Sequence, residues 1–440
     1  MTYDEALDRL YTLEHSGIKL GLSRIQSALR DLGSPQNAFA SVHIAGTNGK
    51  GSTSAMMAGV LRSCGLRTGL YTSPHIRDFR ERIRIDGRMA APGWIIEGLE
   101  TIWPAVERNS LSFFEAATCL AFWIFVQQGV RIAVLEVGLG GRLDATNVVT
   151  PQLAIITSLS IDHQKTLGAS LAEIAGEKAG ILKPGVELIL AGCPKEARDT
   201  VLSVALERGV PVQLDREALA VRDLQLHPRS TQWRSIRKGE DLPAWLDGCW
   251  EIPMAGAHQV ENARMVLLGA ALLQKQGWPL TEAGIRTGLR STHWPGRLEV
   301  LLPQYPILLD VAHNPEGGRR LVRALNRWPE LGKARWIVGM VKGKDHKNFL
   351  HQLSRAGGRF HFCSPEHPRC VPTEVLAEAA EGLNYTMHPS VEDALNCALE
   401  ERGDDEICVV SGSFFTMDEA CRALGIGPRE SLQESVEVTL

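Results

Sequence analysis

Apolar and polar positions alternate along this chain in blocks rather than residue by residue. Residues 41–45, 66–71, 131–137, 153–158 and 187–191 are short, nearly continuous apolar runs. Such runs predict strands covered on both faces, as in a parallel sheet. Between them, residues 52–63 carry Met56, Met57, Val60 and Leu61 at helical spacing, with Gly65 placed to close the helix. Residues 115–128 read as a buried helix. Residues 212–253 break the rhythm: they are polar, rich in Arg and Trp and weakly periodic, and predict irregular β structure. Helical spacing returns at 258–276. After Trp294-Pro295-Gly296-Arg297 the alternation restarts, with strands expected at 307–310, 336–340, 359–363 and 407–411 and helices at 317–328 and 374–382. The expected fold class is α/β: a P-loop-type, mostly parallel sheet domain over 1–294, then a smaller Rossmann-like α/β domain over 295–440. The tail after Gly427 is expected to be loosely ordered.

Composition narrows the function classes. The chain has 440 residues, 44% of them hydrophobic and 22% charged, with a net charge of −4. That small charge gives no support for a nucleic-acid or membrane-surface partner. Residues 116–126 form an apolar run too short to span a bilayer, which needs about 20 residues. The nine cysteines are scattered, with no C-x-x-C pair, so neither a zinc ribbon nor a disulfide framework is indicated. The N-terminus lacks a basic segment followed by an apolar one. A cytoplasmic protein is expected, and a monomer, since no heptad or exposed apolar stripe stands out.

The first chemistry sits where the run at 41–45 ends. Gly46-Thr47-Asn48-Gly49-Lys50-Gly51-Ser52 lies between an expected strand and an expected helix, the context of a phosphate-binding loop. Backbone amides and the positive end of the helix dipole both favour phosphate there. Lys50 supplies a point charge for β/γ-phosphate oxygens, and Ser52 or Thr53 a hydroxyl for magnesium. The match to G-x-x-x-x-G-K-[ST] is imperfect, because Gly51 separates Lys50 from the hydroxyls. The residues alone also fit an ordinary strand–helix turn in which glycine permits close packing. Glu136 closes another expected strand before a Gly-rich loop. By itself it reads first as a member of a strand-end ion pair and second as a metal ligand.

Several motifs, taken in order, resemble the Mur ligase superfamily and, within it, the folylpolyglutamate synthase and dihydrofolate synthase family. They are LGLSRI at 20–25, GTNGKGST at 46–53, YTSPHI at 71–76, RERIRIDG at 80–87, FFE at 113–115, LEVGLGGRLDATN at 135–147, SLSIDHQKTLG at 158–168, EKAGILKPG at 177–185, HQVENA at 258–263, PGR at 295–297, DVAHNP at 310–315 and SGSF at 411–414. The resemblance implies an ATP- and Mg²⁺-dependent ligase. ATP phosphorylates a carboxylate on a folate or pteroate, and the amine of L-glutamate displaces phosphate from the resulting acyl phosphate.

Carried onto this sequence, the family's motifs imply nucleotide contacts at Thr47, Asn48, Gly49, Lys50, Gly51, Ser52, Asn262, Arg297 and Asp310. They imply magnesium ligands at Ser73, Glu136 and His163, and a carbamylated lysine at Lys178. Folate contacts are implied at Lys19, Leu20, Ser112, Phe113, Phe114, Glu115, Leu143, Asp144 and Ala145. His313 is expected to help bind the incoming glutamate, so that Lys50, Lys178 and His313 form the catalytic set. Two other readings compete: a Mur-type ligase acting on a cell-wall nucleotide precursor, and a nucleotide-binding module without ligase chemistry.

Overall fold

The computed structural model of the chain describes residues 1–16, 20–301 and 306–433. Eight strands form the first sheet: β1 (Ala40–Ala45), β2 (Thr68–Tyr71), β3 (Ile83–Ile85), β4 (Arg88–Met89), β5 (Ile132–Glu136), β6 (Leu153–Ile156), β7 (Glu187–Leu190) and β8 (Val212–Leu214). Their order is β4-β3-β2-β5-β1-β6-β7-β8. All neighbours are parallel except the edge pairs β2–β3 and β3–β4. The central strands are buried along their whole length, which is why they read as continuous apolar runs. The helix Lys50–Ser63 is buried from Gly51 to Leu61, wedged between this sheet and the helices Ala257–Lys275 and Glu282–Arg290. The expected helix at 115–128 runs Phe113–Gln127.

Residues 212–253 are more regular than their sequence suggests. Val212–Leu214 adds the last strand of the first sheet. β9 (Leu219–Leu226), β10 (Thr231–Arg237) and β11 (Gly248–Ile252) then form an antiparallel three-stranded sheet. Its inward Trp233 and Trp250 join the apolar core built around the helix Ala257–Lys275. The weak periodicity has a cause: β9 and β10 shift register between Gln232 and Arg234, which breaks the alternation of faces.

The third sheet has six strands: β12 (Glu299–Leu301), β13 (Ile307–Leu309), β14 (Lys333–Val338), β15 (Arg359–Phe362), β16 (Tyr385–Met387) and β17 (Glu406–Ser411). Their order is β12-β13-β17-β14-β15-β16. Only β12 pairs antiparallel. Helices including Pro315–Leu325 and Thr373–Ala379 cover it, close to the expected 317–328 and 374–382.

The segment after Gly427 departs from expectation as far as it is described. Ser431 bridges Arg88, the amide of Met89 donates to the Glu430 carbonyl at 2.9 Å, and Leu432 is buried in the core of the first sheet. Arg84 donates to the carbonyls of Arg429 and Glu430, and Arg429 pairs with Glu299. Backbone pairing and one buried leucine hold what composition alone would leave loose. Among the described residues, no helix is long and apolar enough to cross a membrane.

Candidate active site

The carboxyl ends of both large sheets open onto one cleft, where ligands gather in parallel α/β sheets. The first sheet contributes Gly46–Ser52 after β1, Ser73 after β2, Glu136 at the end of β5, and Asp162 and His163 after β6. The second contributes Asp310–His313 after β13 and Phe414 after β17. Lys178, His258, Asn262 and Arg297 complete the walls.

The loop after β1 is shaped by glycine. Gly49 has φ 91°, a left-handed conformation, and a Cβ there would lie 2.4 Å from Asn262 Oδ1. A Cβ on Gly46 would lie 1.8 Å from Thr157 Oγ1. Both positions therefore exclude any larger residue. The helix starts at Lys50 with Gly49 as N-cap and no capping side chain, so its first amides are left for a ligand. The Thr47 amide donates to the Ser158 carbonyl at 2.7 Å and the Asn48 amide to Ser158 Oγ, which locks the loop to β6. Gln259 Nε2 donates to Ser52 Oγ and receives Asn262 Nδ2 on its own oxygen. Gly51, which spoils the sequence pattern, lies against Trp294, 2.9 Å from where its Cβ would be.

Three cations crowd this helix end. Lys50 Nζ curls back onto the carbonyls of Gly46 and Thr47, each at 3.2 Å. Lys178, in the helix Leu171–Ala179, is buried and donates to the Gly46 carbonyl at 2.8 Å. Burial, with Lys50 beside it, pushes the Lys178 amine down to about 7. Arg297 is half-buried, 5.6 Å from the Phe414 ring, and desolvation lowers its pKa against the pull of Asp310 and Glu136. Positive charge so concentrated calls for a polyanion.

The acidic and imidazole groups are equally specific. Glu136 accepts from the Ser73 amide at 3.0 Å, and burial raises its carboxyl while Lys50 opposes the shift. Asp310 accepts from the amides of Leu298 and Ala312, and burial raises it too. His163 sits at φ 52° and is held to about 4 by burial and by Lys344. His313 Nδ1 meets the Val311 carbonyl at 2.9 Å, which fixes that nitrogen as the N–H and leaves Nε2 as an acceptor. Burial and Lys344 hold His313 to about 4 as well, so it is neutral at physiological pH.

Divalent metal and nucleotide both fit these residues. The buried Glu136 carboxylate, Ser73 and the neutral His163 imidazole all line the same cleft. Asn48 Nδ2, a buried donor with no partner, lies in the loop itself. Glycine at 46 and 49 lets Thr157 and Asn262 pack directly against the loop backbone.

The sequence-derived folate positions lie beside this cleft rather than in its walls. Ser112 and Glu115 cap the helix Phe113–Gln127, and Glu115 also pairs with Arg24 at 3.2 Å. Phe113 stacks on Tyr11 with centroids 5.5 Å apart, and the Arg82 guanidinium lies over the Phe113 ring, 5.2 Å from its centroid. Phe114 packs against Gly138, which does line the cleft. Asp144 accepts from the amides of Leu139 and Thr146 and thereby braces the Gly138–Arg142 loop, with Leu143 half-buried and Ala145 buried beside it. Leu20 is exposed, and Lys19 lies outside the described residues.

Sequence reasoning gave no role to several residues that the cleft uses. Asp162 bonds Lys344 Nζ at 2.8 Å and Asn314 Nδ2 at 3.0 Å, joining the two halves across the cleft, and both cations and hydrogen bonds keep it ionised. Asn314 also donates to Asn48 in the loop. Arg82 donates to His75 Nδ1 at 2.7 Å behind Phe113. Asp162, Asn314, His75 and Arg82 all lie inside quoted motifs, so their neighbourhood was visible although their pairing was not.

Two family models match the chain: the Mur ligase middle domain over 44–270 and the Mur ligase, glutamate ligase domain, over 296–414. The dihydrofolate synthase/folylpolyglutamate synthase of Bacillus subtilis is 31% identical over 433 residues, covering 96% of this chain and 99% of its own. The folylpolyglutamate synthase of Lacticaseibacillus casei is 33% identical, covering 94% and 97%. Among solved structures, Mycobacterium tuberculosis folylpolyglutamate synthase complexed with ADP and AMPPCP superposes with a TM-score of 0.88 at 29% identity, covering 97% of this chain and all of that one. A bifunctional folylpolyglutamate synthase/dihydrofolate synthase with Mn, AMPPNP and L-glutamate bound superposes at 0.82 with 31% identity, covering 96% and 98%.

Proposed function

This chain belongs to the Mur ligases, in the folylpolyglutamate synthase/dihydrofolate synthase family, and from that premise we propose how its cleft joins glutamate to a folate. It is an ATP-dependent carboxylate–amine ligase. The observation that carries the assignment of roles is the meeting of Lys50, Lys178 and Arg297 with an uncapped helix end, two buried carboxylates and two neutral imidazoles in one cleft.

The triphosphate lies along Thr47–Ser52. Lys50 leaves the Gly46 and Thr47 carbonyls to meet the β/γ oxygens, and Asn262, Arg297 and Asp310 border the nucleotide. Ser73, Glu136 and His163 would hold the magnesium ion. Held there, it would supply positive charge against the phosphates. The folate carboxylate attacks the γ-phosphorus, ADP leaves, and Arg297 neutralises charge developing on the transferred group. The glutamate amine then attacks the acyl carbonyl, the bond from that carbon to the phosphate oxygen breaks, and the amine's proton leaves with the phosphate as HPO4²⁻. His313 Nε2 accepts a hydrogen bond from the incoming glutamate. Held to about 4, His313 orients that amine rather than carrying its proton. Arg297 and Phe414 sit over the phosphates and exclude water from the acyl phosphate.

Lys178 fits carbamylation. Its amine is buried and lowered to about 7, so a large fraction is the neutral nucleophile that attacks CO₂. The new N–C bond releases one proton and converts a repelled ammonium into a carboxylate beside the metal ligands. Folate is read onto Lys19, Leu20, Ser112–Glu115 and Leu143–Ala145, with support from the Phe113 and Phe114 aromatic wall beside the cleft. The domain boundary is drawn between 294 and 295, because the strands of the first two sheets come from 40–252 and those of the third from 299–411. One chain supplies both sides of the cleft, which supports a monomer. Nine unpaired cysteines and a requirement for ATP support a cytoplasmic location.

The test crosses dihydropteroate and tetrahydrofolate with L-glutamate and follows ADP release. Turnover that needs both a folate acceptor and glutamate is expected. ADP release only with UDP-muramoyl acceptors, or ATP binding without turnover, would refute the proposal.

A further inference from the structure

Among the described residues, one group of three His, Cys, Asp or Glu side chains has ligand atoms that all converge within 4.8 Å, and it lies outside the cleft. We propose that His361, His388 and Cys397 form a binding site for a borderline divalent transition metal, zinc foremost.

Three different elements bring these residues together: β15 holds His361, the residue after β16 is His388, and the helix Val391–Glu400 carries Cys397. His361 Nδ1 lies 3.1 Å from His388 Nε2, and Thr386 Oγ1 lies 3.3 and 3.0 Å from those same two nitrogens. A tetrahedral zinc with Zn–N bonds of 2.0–2.1 Å requires neighbouring ligand atoms about 3.3 Å apart. The two nitrogens and the hydroxyl oxygen are thus already spaced as three corners of such a polyhedron, with the thiol within reach of the fourth. His361 is fully buried, and its Nε2 has no partner. His388 and Cys397 are half-buried, so an ion can enter from solvent. The guanidinium groups of Arg335 and Arg359 lie nearby, but each pairs with Glu401, one helical turn beyond Cys397, which shields the site from their charge.

Nitrogen and sulfur donors select zinc, cobalt or copper over magnesium. Magnesium that serves the phosphates would therefore not occupy this site. On binding, Cys397 gives its thiol proton to solvent and the thiolate bonds the metal. The bound metal ties β16, the edge strand of the sheet, to the helix beside it.

The test uses the full chain with saturating Mg²⁺ and ATP, stripped of transition metal and titrated with Co²⁺. One equivalent should produce a thiolate-to-cobalt charge-transfer band in the near ultraviolet, which nitrogen and oxygen ligands alone do not give. Zn²⁺ should displace it. Cys397→Ser should abolish the band, and His388→Ala should weaken binding by roughly tenfold or more, while both variants keep ligase turnover. Absence of the band overturns the proposal. So does its persistence in Cys397→Ser, which would move the thiolate elsewhere, Cys249 being the exposed cysteine.

Discussion

Replacing Lys178 by methionine should stabilise the ligand-free protein while ending catalysis. The side chain is buried and its amine is lowered from 10.5 to about 7, with burial the largest cause and Lys50 the next. Each unit of such a shift is worth about 1.4 kcal/mol, so at neutral pH the buried ammonium costs the fold roughly 4 kcal/mol. Methionine of similar length removes that cost but forfeits the bond to the Gly46 carbonyl, about 1 kcal/mol. A net gain on the order of 2–3 kcal/mol remains. Its pH dependence identifies the cause. Between about 7 and 10.5 the unfolded chain holds the Lys178 proton while the folded chain releases it, so the wild type recovers stability as pH rises. The advantage of Lys178→Met should shrink by up to about 1.4 kcal/mol per unit over that window and level off below 7. Urea unfolding of both proteins at pH 6, 7 and 9 in CO₂-free buffer measures this. A variant less stable than wild type at pH 7, or an advantage that ignores pH, would refute the reasoning.

Lys50→Ala should lower kcat on the order of 100- to 1000-fold or more, because the γ-phosphate loses its point charge; near-normal turnover in the ADP-release assay would put the phosphates elsewhere. Gly49→Ala forces a side chain into a left-handed backbone, at about 1–2 kcal/mol, and drives its Cβ onto Asn262. Its urea midpoint should fall and its KM for ATP rise together. Leu432→Ala should cost about 2 kcal/mol by opening a cavity in the core of the first sheet, read as a lower thermal midpoint, with kcat reduced less than in Lys50→Ala.

The apolar runs made the parallel sheets legible because both faces of those strands are buried. The glycine loop could be located because its chemistry is local. Pairing across the cleft was not readable: Asp162 and Lys344 are 182 positions apart and belong to different sheets. β9–β11 were blurred by a register shift, and the docked tail by a polar composition that gives no hint of backbone pairing. His361, His388 and Cys397 were invisible as a group, since no spacing rule anticipates that an edge strand, its neighbour and the following helix share a corner.

The docked tail also bears on how the two halves are joined. The chain passes between the two halves at residues 292–297 and again at 427–432, and these passages touch, with the His293 amide donating to the Leu432 carbonyl at 2.9 Å. The two covalent links between the halves are therefore bound side by side near His293. Lys344 and Asn314 tie the same halves elsewhere and without a covalent link, through their bonds to Asp162.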